Sequence, residues 1–450
     1  MESNMASLSA SDLVSRKKLL IAALAAIFAL SLLGPAMTYT GALGTGDGTQ
    51  GRQIGYAAIL LLTVVALRPV TYPRRLLVVP ISIIVALAWY WLSVLWAIAP
   101  EIALRRIALT TIIIWSIFAL VRNIGYTLSL NTVRVVMLVT LVANYIAVFF
   151  FPDVGMHPKS ISPGDGEILT RLWRGIMTHK NFAGSACAYT VLLFAFDRQK
   201  IPLWVSGVIV AAAGYFLIES GSKTSAGLCV FAIAIGAVFS LWPAGKGRPA
   251  AILLLLIVGM AGAIVGLVFK DPLNASFTDA KSFTGRPLIW KALYSFWEDH
   301  PWLGSGFGSF WNVGPNGPVY RYASDWVVKI EVGHNGFLDL LAQTGIIGLA
   351  FAIAAGVVIP IYKLLSRTED NSARGAMLAA LLSFSIAHNA TETSLFDRDQ
   401  IPQMFLMLTI AAISLMRDRD AAPRTAKLPA GLQPSRSLFG LNEGKPGKRR

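Results

Sequence analysis

Charge and cysteine are both scarce in this chain of 450 residues: 14% of residues are charged and two are cysteine. Cys187 and Cys229 each sit inside an apolar run, which leaves no disulfide framework and no thiolate metal site. Histidine is nearly as rare. The five present (His157, His179, His300, His334 and His388) contain no i, i+4 pair, so a helical zinc site is not expected. No G-x-S-x-G, P-loop or H-E-x-x-H motif occurs. Gly304-Ser305-Gly306-Phe307-Gly308 follows no strand, so it reads as a tight turn that lets backbone approach closely, not as a nucleotide loop. Acidic residues are outnumbered 24 to 39 by Lys and Arg, for a net charge of +15. That excess does not point to nucleic acid. The bases sit in short clusters between apolar runs, Arg16-Lys17-Lys18, Arg74-Arg75, Arg198 with Lys200 and Lys246 with Arg248, with no basic groove interleaved with aromatics.

What the chain has in abundance is apolar surface, at 55% of residues. Runs long enough to cross a bilayer lie near 19–37, 54–70, 76–98, 107–121, 133–151, 182–197, 201–218, 224–241, 250–269, 336–363, 374–388 and 400–416. Backbone amides cannot go unpaired in hydrocarbon, so these runs predict an all-α polytopic membrane protein of about twelve transmembrane helices. The N-terminus mimics a signal peptide, but its apolar run reaches Met37 without a small-x-small cleavage site, and an uncleaved first span is expected. The chain then divides into a cytoplasmic tail (1–18), nine helices (19–269), a long periplasmic loop with short helices (270–335), three further helices (336–416) and a basic disordered tail (417–450). That tail carries nine Lys or Arg against three Asp or Glu and is suited to anionic lipid headgroups. Placing the N-terminus inside puts most basic clusters on the cytoplasmic side, as the positive-inside rule prefers. All five histidines, with Arg171, Arg174, Lys223 and Arg286, then fall on the outer face.

Four segments on that face carry residues suited to chemistry. In 152–181, Arg174 precedes His179-Lys180-Asn181 at a helix entry, where free amides and the dipole favour phosphate; His179 either caps that helix or assists binding. In Glu219-Ser220-Gly221-Ser222-Lys223-Thr224-Ser225, Lys223 is either a snorkelling interface lysine or an anion ligand. The long loop holds an amphipathic pattern over 286–298 and five tryptophans, Trp290, Trp297, Trp302, Trp311 and Trp326, which form an interface belt or stack on sugars. It also holds Arg286 and Glu331-Val332-Gly333-His334-Asn335. In the fourth segment, His388 to Asp399, a divalent-cation reading is open only to Asp397-x-Asp399, a three-residue pattern that recurs in the tail at Asp418-x-Asp420.

His179-x-Asn181, Ser220-x-Ser222-Lys223-x-Ser225, Thr284-Gly285-Arg286-x-x-x-Trp290, Pro301-x-x-Gly304-x-Gly306 and His334-Asn335 with Leu338 and Gly345 together resemble the O-antigen ligase/polymerase family. More narrowly, the set is similar to exopolysaccharide polymerases of the succinoglycan type. The resemblance implies a glycosyltransferase without metal or other cofactor, acting on polyprenyl-diphosphate-linked oligosaccharide at the periplasmic face of a bacterial inner membrane. It also implies a co-polymerase and a flippase as partners in the same export pathway. Arg286 matches the family's loop arginine and His334 its loop histidine. Lys223 stands where ligase members usually carry arginine, a point charge in place of a bidentate fork, and this favours the exopolysaccharide branch.

The implied reaction displaces polyprenyl diphosphate from an anomeric carbon, with Arg286, Lys223 and Arg174 stabilising the leaving oxygens. His334 is expected as general base of an inverting displacement. An alternative has His334 binding diphosphate while a carboxylate such as Glu331 takes the proton. Asn181, His179 and Asn335 are supporting candidates. Competing readings are a ligase moving finished glycan to another acceptor, and a lipid-linked glycan transporter. The apolar runs are nearly free of charge, which counts against the transporter.

Overall fold

The computed structural model describes residues 10–37, 50–158, 171–241, 285–366 and 372–416. Its elements are α1 (Ala10–Met37), α2 (Gln50–Leu67), α3 (Ile81–Leu92), α4 (Pro100–Ile124), α5 (Tyr126–Phe150), the single-turn α6 (Pro152–Gly155), α7 (Lys180–Ala195), α8 (Leu203–Glu219) and α9 (Lys223–Leu241). After these come α10 (Arg286–Asp299), the single-turn α11 (Val319–Tyr322), α12 (Gly336–Ile353), α13 (Ile359–Ser366), α14 (Ser372–His388) and α15 (Ile401–Ser414). Among the described residues there is no strand, only the isolated bridge between Met156 and Trp173. The described residues are all-α, the architecture of a membrane protein built from helices. Pro100–Ile124, Tyr126–Phe150, Lys223–Leu241 and the continuous Gly336–Ser366 are long and apolar enough to span a bilayer, and shorter apolar helices accompany them. The apolar run at 250–269, Thr284, residues 1–9 and the tail from 417 lie outside the described residues, whereas residues 10–18, expected as tail, are the start of α1.

The sequence explains where helices stop and which faces they bury. α4 starts on Pro100 with Glu101 in its first turn, where a missing amide and a negative charge suit the N-terminus, and ends at Gly125 with φ +88°. On α5, Val135, Val139, Val142, Ile146 and Phe149 recur every three or four residues and are all exposed. On α8, Trp204, Val208, Tyr215 and Ile218 repeat the pattern. Apolar stripes of this extent would associate in water, so lipid is their natural solvent. α15 is different: every side chain from Ile401 to Ile413 is buried. α7 is buried nearly all round as well, and Tyr189 of α7 stacks on Phe405 of α15 with ring centroids 3.9 Å apart. These two helices form the centre of the bundle.

The described part of the long loop docks on one end of the bundle, and glycine makes the docking possible. Gly345 interrupts α12 with φ +65° and ψ −176°; a Cβ there would lie 1.9 Å from the Trp302 carbonyl oxygen. The Pro301–Leu303 segment wedges into this break, Ile346 N donates to Pro301 O (2.9 Å), and Trp89 Nε1 takes the Thr344 carbonyl (3.2 Å). The break therefore has an identifiable cause and satisfied backbone groups. Gly306, at φ +88°, brings its backbone so near Ala97 that a Cβ would stand 2.5 Å from the Ala97 Cα. Ile98 N donates to Ser305 O (3.1 Å) and Phe307 N to Ser93 Oγ (2.9 Å). Arg106 of α4 donates to the Trp311 carbonyl (2.8 Å) and to that of Gly308, closing the turn over the helix. The expected tight turn is present, and it fastens the loop to α3, α4 and α12.

Candidate active site

One carboxylate gathers the loop's arginine and histidine. Arg286 Nη2 donates to Glu392 Oε1 (2.7 Å), His334 Nδ1 lies 3.0 Å from Glu392 Oε2, and Asn181 Nδ2 donates to Oε1 (2.9 Å). Arg286 Nη1 also donates to the Thr391 carbonyl. Four parts of the chain thus meet: the start of α7, the start of α10, the residues before α12 and the turn after α14. The Arg286 and Glu392 side chains are only 13% and 16% exposed, and His334 is 27% exposed, so the imidazole is the part of the cluster open to an incoming group.

Local structure leaves these side chains little choice. Gly285 enters α10 at φ +75°, and Pro287 occupies the first turn where its missing amide costs nothing. α10 then buries Ile289, Ala292, Leu293 and Phe296 on one face, as the amphipathic pattern predicts. Trp290, one turn after Arg286, donates through Nε1 to the Gly333 carbonyl (3.1 Å). Gly333 N donates to Asp339 Oδ2 (3.0 Å), so Gly333 is held on both sides. His334 follows with φ +48°, a left-handed conformation that costs about 1–2 kcal/mol for a residue with a Cβ. Asn335 fixes the other flank: its Oδ1 accepts from Phe337 N and Leu338 N (both 3.1 Å) and caps α12. The strain is thus imposed by flanking contacts, and its result is an imidazole set against Glu392.

The turn bearing Glu392 is built the same way. Asn389 Oδ1 accepts from the Ser394 amide and hydroxyl (both 3.0 Å), folding 389–394 back on itself. Glu392 N bonds the His388 carbonyl (2.9 Å), and Thr393 Oγ1 donates to Asp339 Oδ2. Buried Asp339, which also accepts from Trp311 Nε1 (2.6 Å), therefore ties the His334 turn, the Glu392 turn and the aromatic loop core together. Burial alone would push the Glu392 carboxyl up. The hydrogen bond from His334 and the charge of Arg286 overcome it, pulling the group down to about 2. His388, at 4% exposure, is buried with neither ring nitrogen hydrogen-bonded to the protein.

The remaining predicted residues occupy distinct places. His179 caps α7, its Nδ1 accepting from Asn181 N (3.2 Å). His157, given no role in the sequence, joins it: His157 Nε2 accepts from Lys180 N (3.0 Å), and the two rings meet edge to face at 5.2 Å. Burial, with His179, Arg174 and Lys180 nearby, pushes the His157 imidazole down to about 4, so it stays neutral and able to accept. Arg174 is buried and donates to the carbonyls of Val154 (2.9 Å) and Asp153 (3.2 Å), bracing the loop before α7. Lys223 is exposed at the first residue of α9. Its turn packs on α7, where a Cβ on Gly184 would lie 2.4 Å from the Ser222 Cβ, one helical turn from Asn181. Glu331 is exposed, and the carboxylate against His334 is Glu392 instead. Asp397 pairs with Arg398 (2.8 Å) and Asp399 with Arg52, so arginines engage both carboxylates of the Asp-x-Asp pattern. Among the described residues no group of three or more His, Cys, Asp or Glu is arranged to hold a metal.

Residues 207–353, which include Lys223, Arg286 and His334, match the family model described as O-antigen ligase. Over those residues, about a third of the chain, the protein is similar to that family. Asn181 and Glu392 come to the site from either side of the matched residues. The exopolysaccharide production protein ExoQ of Rhizobium meliloti is 24% identical over 283 residues, 58% of this chain and 62% of the relative. The O-antigen ligase of Pseudomonas aeruginosa is 26% identical over 215 residues, 46% of this chain and 47% of the relative. The chain thus spans less than two thirds of the length of either relative.

Proposed function

We propose that this protein is a polysaccharide polymerase that joins oligosaccharide repeat units carried on polyprenyl diphosphate, at the periplasmic face of a bacterial inner membrane. The observation that carries this reading is the convergence of Arg286 and His334 on Glu392. A deprotonated carboxylate only accepts, so His334 Nδ1 carries the hydrogen and Nε2 keeps a lone pair. An acceptor hydroxyl attacks the anomeric carbon and passes its proton to His334 Nε2. The bond from that carbon to the diphosphate oxygen breaks on the opposite face, and the configuration inverts. Glu392 holds the ring in orientation and pairs with the imidazolium that forms, as the acid does in other His–carboxylate pairs. Arg286 and Lys223 stabilise the charge arriving on the leaving diphosphate. Arg174 and the paired histidine caps fix the α7 entry from which Asn181 reaches Glu392. In this scheme the fixed cations do the work a metal would otherwise do, so the reaction proceeds without one.

Lysine at position 223 and the resemblance to an exopolysaccharide production protein favour polymerisation. A single transfer of finished glycan to a second acceptor is the alternative, supported by the relative named O-antigen ligase. A co-polymerase and a flippase would serve the polymerase as partners. The deciding experiment supplies purified protein with a lipid-linked repeat unit, alone and with a candidate second acceptor. A ladder of products spaced by one repeat supports the polymerase. One transfer, made only when the second acceptor is present, supports the ligase.

A further inference from the structure

The opposite end of the bundle carries a second concentration of charge. α1 and α2 run antiparallel: Ser31 Oγ reaches the Asp399 carbonyl (2.6 Å) and Tyr56 OH the Asp399 carboxylate (2.7 Å) at the site end, while Arg16 Nε donates to Ala66 O (2.5 Å) at the other. There the chain turns at Arg68, with φ +50°, and the amides of Thr71 and Tyr72 both return to the Arg68 carbonyl (3.1 and 3.0 Å). A short 3-10 turn, Pro73–Arg75, follows. The Arg75 guanidinium then sits 3.8 Å from the Tyr72 ring centroid, and that of Arg16 lies 6.0 Å from the same ring. Arg75 Nη1 reaches the Leu67 carbonyl (3.4 Å). Arg68 and Arg75 are both close enough to Arg16 to repel it.

These contacts leave the charge largely uncompensated. The partners of Arg16 and Arg75 are carbonyls at the end of α2 and one aromatic ring, and among the described residues no carboxylate pairs with Arg16, Arg68, Arg74 or Arg75. The C-terminal dipole of α2 supplies about half a negative charge against these four positive ones. Each guanidinium has five N–H donors, and Arg16 and Arg75 spend one apiece on those carbonyls. A preference for basic residues at this end explains their number. It does not explain why three of them converge on one another with no carboxylate among the described residues beside them. Beside them, Leu61, Val65, Val70 and Leu77 are exposed apolar side chains, from 59% to 98% accessible.

We propose that Arg16, Arg68 and Arg75 bind the phosphate of an anionic phospholipid in the leaflet at this end, its acyl chains lying on the apolar surface of Leu61 and Val65. Guanidinium forks match phosphate oxygens, Tyr72 suits the headgroup level, and the adjoining apolar surface selects a lipid over free phosphate.

Native mass spectrometry of the purified full chain, with equal phosphatidylglycerol and phosphatidylethanolamine, tests this. The wild type should retain the anionic lipid preferentially. Arg16→Gln/Arg75→Gln should lower the anionic-to-zwitterionic ratio at least about a hundredfold, since each loses a charge-assisted hydrogen bond to the lipid beyond the roughly fivefold that any basic residue contributes at a membrane surface. Arg68→Gln, whose exposed side chain makes no hydrogen bond that folding needs, should lower it about fivefold. Lys17→Gln/Lys18→Gln, which removes two neighbouring charges outside the cluster, should change it far less than the arginine pair. Equal losses in the two double variants, an unmoved Arg68→Gln, or no wild-type preference would overturn the proposal. Inorganic phosphate raising the wild-type Tm as fully as phosphatidylglycerol would assign the cluster to free phosphate and overturn the lipid assignment.

Discussion

Replacing Glu392 with glutamine keeps the shape of the side chain and removes its charge. Its carboxylate takes donors from Arg286, Asn181 and His334, whereas a glutamine amide turns an N–H₂ toward one of them and leaves Arg286 without a counter-charge. Burial raises the carboxyl, but its partners hold it at about 2 instead of 4.5, and that difference corresponds to about 3 kcal/mol of stability. Removing one member of a buried pair costs about 3–5 kcal/mol in general, so the two figures agree. The sign follows from the lowered value. The stabilisation is complete above pH 4.5 and drains away as pH falls toward 2. Thermal unfolding in detergent should therefore show Glu392→Gln well below wild type at pH 7, with the gap closing below pH 4.5. On activity, misorienting His334 should lower kcat at least about 10²-fold, the low end of what a positioned base contributes. Release of polyprenyl diphosphate from a lipid-linked oligosaccharide reads that loss. A variant that unfolds like wild type at neutral pH, or that turns over at the wild-type rate, would refute this role for Glu392.

Three further outcomes follow from neighbouring features. His388→Phe should raise the Tm, because it removes a buried imidazole whose two ring nitrogens make no hydrogen bond, a desolvation that costs about 1–3 kcal/mol, and keeps an aromatic ring against Phe384; a lowered Tm in the thermal scan would show that the ring is satisfied within the fold. Gly345→Ala should prevent stable folding, since its Cβ would overlap the Trp302 carbonyl at 1.9 Å with φ at +65°; size-exclusion chromatography showing a monodisperse wild-type-like protein would contradict that. His157 is held near 4 by burial, so its contribution to stability is complete above about pH 6.5 and is lost as pH falls toward 4. His157→Gln should flatten the decline in Tm over that window, and an unchanged decline would assign it to other groups.

Much of this architecture is legible in the sequence, for a physical reason. Hydrocarbon demands helices, so the apolar runs fall on helices wherever the chain is described, and the 286–298 pattern marks α10 because it alternates on a 3.6-residue period. Arg286 and His334 stand out because each lies in a short polar motif inside an apolar chain. Glu392 does not stand out. It lies 58 residues from His334 and 106 from Arg286, with no local pattern to link them. The signal available was a lone acid between Thr391 and Thr393, just past a span ending at His388. In sequence, the Asp-x-Asp pattern a few residues on is the more conspicuous feature, yet Arg398 and Arg52 occupy those carboxylates. His157 is missed for a similar reason. Its capping of α7 depends on a return of the chain over 23 residues, which composition does not reveal.

The most direct test of the central claim is glycan transfer by purified protein from polyprenyl-diphosphate-linked oligosaccharide in the presence of EDTA, comparing wild type with Arg286→Ala and His334→Ala. Wild-type turnover without metal, reduced at least about 10²-fold in both folded variants, is the predicted result. Activity retained by either variant, or abolished in wild type by EDTA and restored by a divalent cation, would contradict the account.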